Sequence, residues 1–168
     1  MAVGHIFQGH ALNAVDAKGR VSVPASFRAL IEARALEAQR SPDNTLWIGE
    51  HEQRRCLAAF DSVASTELNE QLAASVADLP AAEQRLALEE ARADAFDSLE
   101  AVKFDGAGRM VLSTALRKAA KITDLAFFRG VGSTFQIWSP ERALEHLPAG
   151  SRIRDRLIEQ LEERGVTL

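Results

Sequence analysis

One short unit occurs twice in this chain, and that repeat limits the folds open to it more than any other feature. Residues 15–28 align with residues 104–117 without a gap. Four polar or glycine positions coincide, and four apolar positions coincide with them. The polar and glycine pairs are Asp16 and Asp105, Gly19 and Gly108, Arg20 and Arg109, and Arg28 and Arg117. The repeat predicts two copies of one small supersecondary unit, fused in a single chain.

The repeat continues downstream of the aligned segment. Residues 46–48 are echoed by 125–127, and residues 56–60 by 134–138. Trp47 and Trp138 fall within these echoes, which makes both of them candidate core residues. Both downstream segments are apolar runs next to turn residues, a pattern that predicts hairpins turning at 49–52 and at 130–132.

Each copy can be read as a local structure. Asp16 and Gly19 stand at the first and fourth positions of a type I turn, and Gly supplies a positive φ where one is needed. Val21 and Val23 alternate with a polar residue as in a strand, and Phe27 then begins a helical spacing. The unit is therefore predicted to run strand, turn, strand, short helix, hairpin and trailing helix.

The remaining segments have helical patterns. Asp61 is a candidate N-cap for a helix that ends near residues 78–80, and a second helix is expected over about 81–96. Ile153 opens a third amphipathic helix. Either the apolar stripes of all these helices pack on the chain's own core, or one stripe is left over and docks a neighbouring subunit. The expected domains are a first half at 6–60, an acidic helical connector at 61–100, a second half at 101–138 and a helical tail at 139–168.

Charge is distributed unevenly along the chain. The net charge is −4, but residues 61–100 hold ten acids and two bases. Residues 16–40 have a balance of +2 and residues 103–129 one of +4. The acidic stretch can be the solvated face of helices, or in addition the basic segments can share one face that meets a polyanion. In the second case the acidic helices point away from the polyanion.

The paired Asp-x-x-Gly-Arg turns resemble the MraZ family of bacterial transcriptional regulators. The opening Phe7-Gln-Gly9, the segment from Phe104 to Arg109 and the segment from Phe135 to Trp138 are also similar to that family. The resemblance covers about residues 6–138. It implies an α+β fold, an AbrB-like swapped-hairpin β-barrel formed by both halves, with flanking α-helices. It also implies a ring of subunits that binds double-stranded DNA at tandem direct repeats upstream of the division and cell-wall gene cluster.

The turns also set the candidate binding residues. Arg can bond guanine O6 and N7 with two donors, and Lys contacts phosphate as a point charge. With the resemblance, the expected DNA-binding residues are Lys18, Arg20, Arg28, Arg109 and Arg117. The expected turn-forming residues are Asp16, Gly19, Asp105 and Gly108. Two alternatives stay open: Arg20 and Arg109 only stiffen their turns by pairing with the aspartates, and Arg28 and Arg117 are surface or barrel-edge residues.

Other chemistries have little support in the sequence. The single cysteine, Cys56, excludes an intrachain disulfide and lies in an apolar run, so a buried core residue is expected. The four histidines share no metal-ligand spacing, and no phosphate-loop, dinucleotide or nucleophile-elbow motif is present. We therefore expect no enzyme, metal or cofactor. We also expect no membrane span or signal peptide, and hence a cytoplasmic, nucleoid-associated protein.

Three classes of function remain: a DNA-binding regulator, which the paired turns and the resemblance favour, an antitoxin-like or scaffold protein of the same fold, and an enzyme. An antitoxin-like module would use its helical tail to hold a protein partner. Salt-dependent retention on DNA separates the first class from the others, because phosphate contacts release counterions and make binding steeply salt-dependent.

Overall fold

The structure is a computed structural model, and it describes residues 5–168. Those residues form an α+β fold with eight strands and six helices, which confirms the predicted class. In chain order the elements are β1 (His10–Ala14), β2 (Arg20–Ser22), α1 (Ala25–Glu37), β3 (Thr45–Glu50), β4 (Leu57–Phe60), α2 (Ser62–Ser75), α3 (Ala81–Phe96), β5 (Glu100–Lys103), β6 (Arg109–Val111), α4 (Thr114–Ala120), β7 (Leu125–Gly130), β8 (Phe135–Trp138), α5 (Pro140–His146) and α6 (Arg152–Glu163).

Strand pairing connects the two halves of the chain throughout. A six-stranded antiparallel sheet has the order β1-β7-β8-β4-β3-β5, and β2 pairs with β6 as a separate two-stranded ladder. The first strand of each half pairs with the hairpin of the other half, β1 with β7 and β5 with β3. The hairpins themselves meet at β4 and β8. Neither half therefore has a complete sheet of its own.

The pairing does not close into a ring of strands. In the six-stranded sheet of residues 5–168, β1 and β5 are the two ends of the order, and β2 and β6 pair only with each other. The structure thus has the antiparallel sheet and the exchange of strands between halves. The closed barrel expected from the resemblance is not seen as one continuous ladder.

The register of the hairpins corrects one part of the predicted repeat. Trp47 lies opposite Phe60, and Phe127 lies opposite Trp138. Trp47 is therefore equivalent to Phe127, so the expected echo of residues 46–48 in 125–127 is wrong by one residue. The segment between the helix and the hairpin is longer in the first half, where it joins α1 to β3, than in the second half, where it joins α4 to β7. The two halves therefore cannot be aligned through this segment by a constant spacing. The first hairpin also turns later than expected, because β3 extends to Glu50.

The two tryptophans consequently differ in environment. Trp138 is 2% exposed, as the prediction of a core residue requires, whereas Trp47 is 39% exposed. The prediction for Trp47 is wrong, because it lies on the outer face of the sheet. In the second half, the equivalent Phe127 is buried under Leu157 and Leu161 of α6. No such helix from residues 5–168 covers Trp47 to the same extent.

Two apolar clusters hold the elements together. The larger cluster lies on the inner face of the sheet and includes residues of α1 and α4. In it the ring centroids of Phe7, Phe27 and Phe135 are 5.0 to 5.5 Å apart. The smaller lies on the outer face beneath α5 and α6 and includes Cys56. Burial of these side chains removes apolar surface from water, the main source of stability in a domain of this size.

The helices α2 and α3 begin where the sequence predicts. Asp61 caps α2, since its Oδ1 accepts a hydrogen bond from the backbone N–H of Ala64 at 2.8 Å. Serine side chains cap α4, α5 and α6 in the same way. The α2 and α3 helices pack against each other, and no residue of α3 is buried. None of the helices described in residues 5–168 combines the length and apolar character required to cross a bilayer.

A buried ion pair ties the first half together and was not expected from the sequence. Arg34 of α1 donates from Nε to Oδ2 of Asp61 at 2.8 Å, and both side chains are buried. The guanidinium also donates to the backbone carbonyls of His5 and Ser133 at 2.9 and 3.2 Å. Its donors are thus well used, as a buried charge requires.

Candidate nucleic-acid interface

Each predicted turn is held by its aspartate. The carboxylate of Asp16 accepts the backbone N–H groups of Lys18 and Arg20 at 2.9 and 2.8 Å, and the Nε of Arg20 at 2.5 Å. The backbone N–H of Arg20, and next its guanidinium, holds the pKa of Asp16 below its ordinary value of 3.8. Arg20 is therefore paired with a carboxylate that stays ionised at neutral pH.

The second turn repeats this geometry. Asp105 accepts the backbone N–H groups of Ala107 and Arg109 at 3.0 and 2.9 Å, and the Nε of Arg109 at 3.0 Å. The backbone N–H of Arg109 is the largest cause of a lowered pKa at Asp105; desolvation, the next largest effect, opposes it, and the guanidinium of Arg109 lowers the pKa further. The pairing of each arginine with its own aspartate, one of the two alternatives from the sequence, is thus present in both halves.

The two turns meet because β2 pairs with β6. Arg20 lies opposite Val111, Val21 opposite Met110, and Ser22 opposite Arg109. Successive residues of a strand point to opposite faces, and Val21 and Met110 are the buried pair. Arg20 and Arg109 therefore share the outer face as diagonal neighbours, about 7–8 Å apart between Cα atoms. Their side chains are 56% and 67% exposed.

We call residues 16–22 and 105–111 the arginine ribbon. Main-chain hydrogen bonds fix it, because the carbonyl of Gly19 accepts from the N–H of Leu112 at 2.9 Å and the carbonyl of Gly108 accepts from the N–H of Val23 at 2.8 Å. Both glycines have a positive φ, of 83° and 84°. Each turn is thus bonded to the chain of the other half, and the ribbon is a single rigid element.

Arg28 and Arg117 lie against the turns of this ribbon. The Nε of Arg117 donates to the carbonyl of Leu112 at 3.1 Å, and its guanidinium packs on Gly19 of the other half. The Nε of Arg28 donates to the carbonyl of Val23 at 3.2 Å, and its guanidinium packs on Gly108. Both side chains are half-buried. They support the turns, and a phosphate contact by either remains a prediction.

Lys18 completes the first turn. Its side chain is exposed beside Arg20, whereas Ala107 occupies the equivalent place in the second turn. An open depression lies between the two turns and is lined by the aspartates, the arginines and Val111. The ribbon thus presents three cations on a surface whose two carboxylates are already bonded to arginine.

Such a ribbon has dimensions and donors suited to a nucleic acid. The major groove of B-DNA admits a two-stranded β-ribbon. The hydrogen bonds to the aspartate side chains use only the Nε proton of Arg20 and Arg109, so the protons on both Nη atoms are left for a partner. Three long basic side chains on one exposed ladder can contact base edges and phosphates together.

Residues 5–168 show neither a metal site nor a reactive cysteine. That part of the chain contains no group of three or more His, Cys, Asp or Glu side chains placed to hold a metal ion. Cys56 is buried as expected, and burial raises the pKa of its thiol to about 12. A thiol with that pKa is protonated at neutral pH and is a poor nucleophile.

Comparisons with known proteins agree with these features. A family model described as "MraZ protein, putative antitoxin-like" matches residues 95–142. The Transcriptional regulator MraZ of Gluconacetobacter diazotrophicus is 34% identical over 153 residues, covering 91% of this chain and 90% of its own. The protein of the same name from Gluconobacter oxydans is 38% identical over 164 residues, covering 89% and 85%. That of Ruegeria pomeroyi is 33% identical over 161 residues, covering 93% and 91%. Since this level of identity extends over most of both chains, the protein belongs to the MraZ family.

Proposed function

We propose that this protein is a transcriptional regulator that binds double-stranded DNA in a sequence-specific manner through the arginine ribbon, and that it is not an enzyme. One observation carries the proposal: the strand pairing sets Arg20 and Arg109 side by side on one exposed face, each oriented by its own aspartate. The names of the relatives support the regulatory role.

The residues have distinct roles in this proposal. Arg20 and Arg109 reach guanine edges with their Nη donors, while Asp16 and Asp105 restrict the guanidinium orientations. Lys18 contacts a neighbouring phosphate. Arg28 and Arg117 act mainly by holding the turns, and any phosphate contact through their remaining donors is secondary. Arg109 contributes less than Arg20, because Ala107 supplies no second cation.

The target and assembly follow from the family resemblance and from charge. One ribbon makes few phosphate contacts on a chain whose net charge is −4. Useful affinity then requires several subunits on consecutive boxes, joined by effective concentration. We propose a closed ring of subunits on tandem direct repeats upstream of the division and cell-wall gene cluster, in the cytoplasm at the nucleoid. The two halves, at 6–60 and 101–138, form one AbrB-like swapped-hairpin unit.

The surface around Trp47 is the proposed contact between subunits. Trp47, Phe96 and Leu99 line an apolar groove between the sheet and the α2–α3 hairpin, with polar side chains from α2 on one side. The equivalent surface of the second half is covered by α6. A neighbouring copy that covers the groove removes from water an apolar patch that the chain itself leaves half-exposed.

An antitoxin-like or scaffold function is the alternative, and the description of the family model favours it. A helical tail that holds a protein partner needs a free apolar stripe. Leu157 and Leu161 of α6 are instead buried against the chain's own sheet. The tail at 139–168 therefore fits a structural role better than partner capture, and we place this function second.

The decisive experiment is a mobility shift on DNA from upstream of the chain's own operon, paired with thermal melting. Arg20→Ala should remove a contact worth roughly 1–3 kcal/mol per site, and the loss multiplies over subunits until specific binding disappears. The free energy of unfolding should change by no more than ~0.5 kcal/mol, the usual effect of a surface substitution. Arg109→Ala should be milder. Arg85→Ala, at an exposed arginine on α3, is the matched control and should bind normally.

Two outcomes would contradict the role of Arg20. The variant could melt normally and bind the operator with wild-type affinity. It could also lose binding only because it unfolds, in which case Arg20 acts as the structural partner of Asp16.

A further inference from the structure

A second group of arginines lies on the outer face of the molecule, apart from the arginine ribbon. The loop between β3 and β4 and the helix α5 line an open pocket of about 310 Å³. Its lining includes Arg54, Arg55, Trp138, Arg142, Glu145 and His146. Arg129 of β7 is near enough to act electrostatically on His146. None of these residues takes part in the DNA contact proposed above.

The cations of this pocket are not balanced by acids. Arg55 pairs with Glu145 at 3.0 Å. Within residues 5–168, Arg54, Arg129 and Arg142 form no ion pair with a carboxylate. Arg142 instead donates from Nη1 to the carbonyls of Arg55 and Ala119, at 3.2 and 2.7 Å. The chain has 24 acidic residues and only 20 Lys and Arg residues. The excess of arginine in this pocket therefore does not result from a lack of acidic residues in the chain.

One donor of a side chain that lines the pocket is also unsatisfied. The Nε of Arg142 is buried and meets no acceptor in the described part of the chain. A buried donor left without a partner is costly, and most such groups in folded proteins are bonded. An anion in the pocket would relieve the repulsion among the arginines and bring acceptor oxygens close to this side chain.

The pocket is held in place before any ligand arrives. The Nδ1 of His51 accepts the backbone N–H groups of Gln53 and Arg54, each at 3.1 Å. The N–H of His51 donates to the carbonyl of Cys56 at 2.9 Å and closes the loop. On the opposite wall His146 stacks on Trp138, with ring centroids 4.7 Å apart. Little conformational freedom is lost when a ligand binds to a loop fixed in this way.

We propose that this pocket binds a small anion that carries two or more phosphate groups. Arginine is the side chain best matched to phosphate, because its planar fork donates two parallel hydrogen bonds. Arg54 and Arg142 line the pocket without carboxylate partners among residues 5–168, and Arg129 adds positive charge nearby, which matches a ligand with several negative charges. The same chemistry could come from a free oligophosphate or from the phosphates of a DNA backbone, and the volume of the pocket favours the small ligand.

The test is calorimetric titration of the full-length protein with inorganic triphosphate, in the absence of DNA. Saturable binding that weakens with added salt is expected. Arg54→Gln should weaken it at least about tenfold, since it removes a hydrogen bond to a charged group. Arg142→Gln should do the same. Arg85→Gln is the charge-matched control and should bind as the wild type does.

Arg54 decides the outcome if Arg142→Gln fails to fold, because the side chain of Arg54 is exposed. No saturable heat with triphosphate would overturn the proposal, as would equal losses in the Arg85→Gln control. A third result would overturn it in favour of DNA: Arg54→Gln weakens operator binding while triphosphate neither binds nor competes.

Discussion

Arg117 of the second half packs its guanidinium on Gly19, the turn glycine of the first half. A Cβ at Gly19 would lie 2.8 Å from the Nε of Arg117 and 2.5 Å from the carbonyl oxygen of Leu112. Arg28 stands in the same relation to Gly108. Each half thus fixes the arginine-bearing turn of the other, and the spacing of the two turns depends on this reciprocal contact.

Gly19→Ala should therefore destabilise the protein for two reasons. Its φ is +83°, which is strained for any residue with a Cβ, and the backbone oxygen of Leu112 cannot move aside easily. Gly150→Ala is the matched control, since Gly150 has a φ of +79° and open space around it. In urea unfolding we expect Gly19→Ala to cost at least about 1 kcal/mol more than the control. Equal costs would show that the close approach has no energetic weight.

The buried pair of Arg34 and Asp61 should be far more sensitive than an exposed one. Arg34→Met leaves the Asp61 carboxylate buried without its partner, which typically costs about 3–5 kcal/mol. Glu145→Gln breaks the exposed pair with Arg55 and should cost at most about 1 kcal/mol. Thermal melting of both variants makes the comparison.

A second substitution tests the cause. Asp61→Ser keeps an N-cap oxygen, as Ser139 does at the equivalent helix of the second half. The double variant Arg34→Met with Asp61→Ser should regain part of the loss, because no charge is left uncompensated. A double variant less stable than Arg34→Met alone would contradict this explanation.

Acid should loosen the arginine ribbon. The pKa of Asp16 is lowered by folding, so its ionised form contributes stability above the ordinary value of 3.8. That contribution is lost as the pH falls below 3.8 and through the pKa of the folded state. Carboxyl NMR titration should give a midpoint below 3.8 for Asp16 and for Asp105.

The same titration can rank the causes of the lowered pKa. In Arg20→Ala the backbone N–H of residue 20 remains, and it is the largest cause. The midpoint of Asp16 should rise in this variant and still lie below 3.8. A complete return to 3.8 would mean that the guanidinium, and not the backbone, fixes the carboxylate.

Light scattering should report a closed homo-oligomer at micromolar concentration. Trp47→Glu places a charge in the proposed subunit contact and should lower the measured mass, because burying an unpaired charge is unfavourable. Val131→Glu is the control, since Val131 is an exposed apolar residue in the hairpin loop of the second half. A wild-type monomer, with or without DNA, would refute the proposed assembly.

Local patterns in the sequence predicted much of this structure. The turn at Asp16, the N-cap at Asp61 and the stripe of α6 are all determined by neighbours within a few residues. The register of the hairpins was missed by one residue, because it depends on loops of unequal length. Trp47 was misplaced for a different reason: α6 covers its equivalent Phe127, and no helix in the part of the chain that the structure describes covers Trp47 to that extent.

Contacts between distant residues were harder to predict. Arg28 touches a turn 78 residues away, so no local pattern reports the contact. A signal did exist, because each arginine recurs nine residues after its turn glycine, as Arg28 does after Gly19. The position of Arg34 was also informative. It follows Phe27 and Ile31 on the apolar face of α1, where a charged side chain needs a buried partner.

Because the two units are fused in one chain, they need not be identical, and the molecule need not have exact two-fold symmetry. A dimer of two identical chains has an exact two-fold axis, and such symmetry favours palindromic sites. Here the paired turns of the ribbon are free to differ, and they do, with Lys18 on one side and Ala107 on the other. In the proposed binding mode, a ribbon with unequal ends distinguishes the two orientations of a site on the duplex. Boxes that all point the same way are then natural targets for the copies of the proposed ring.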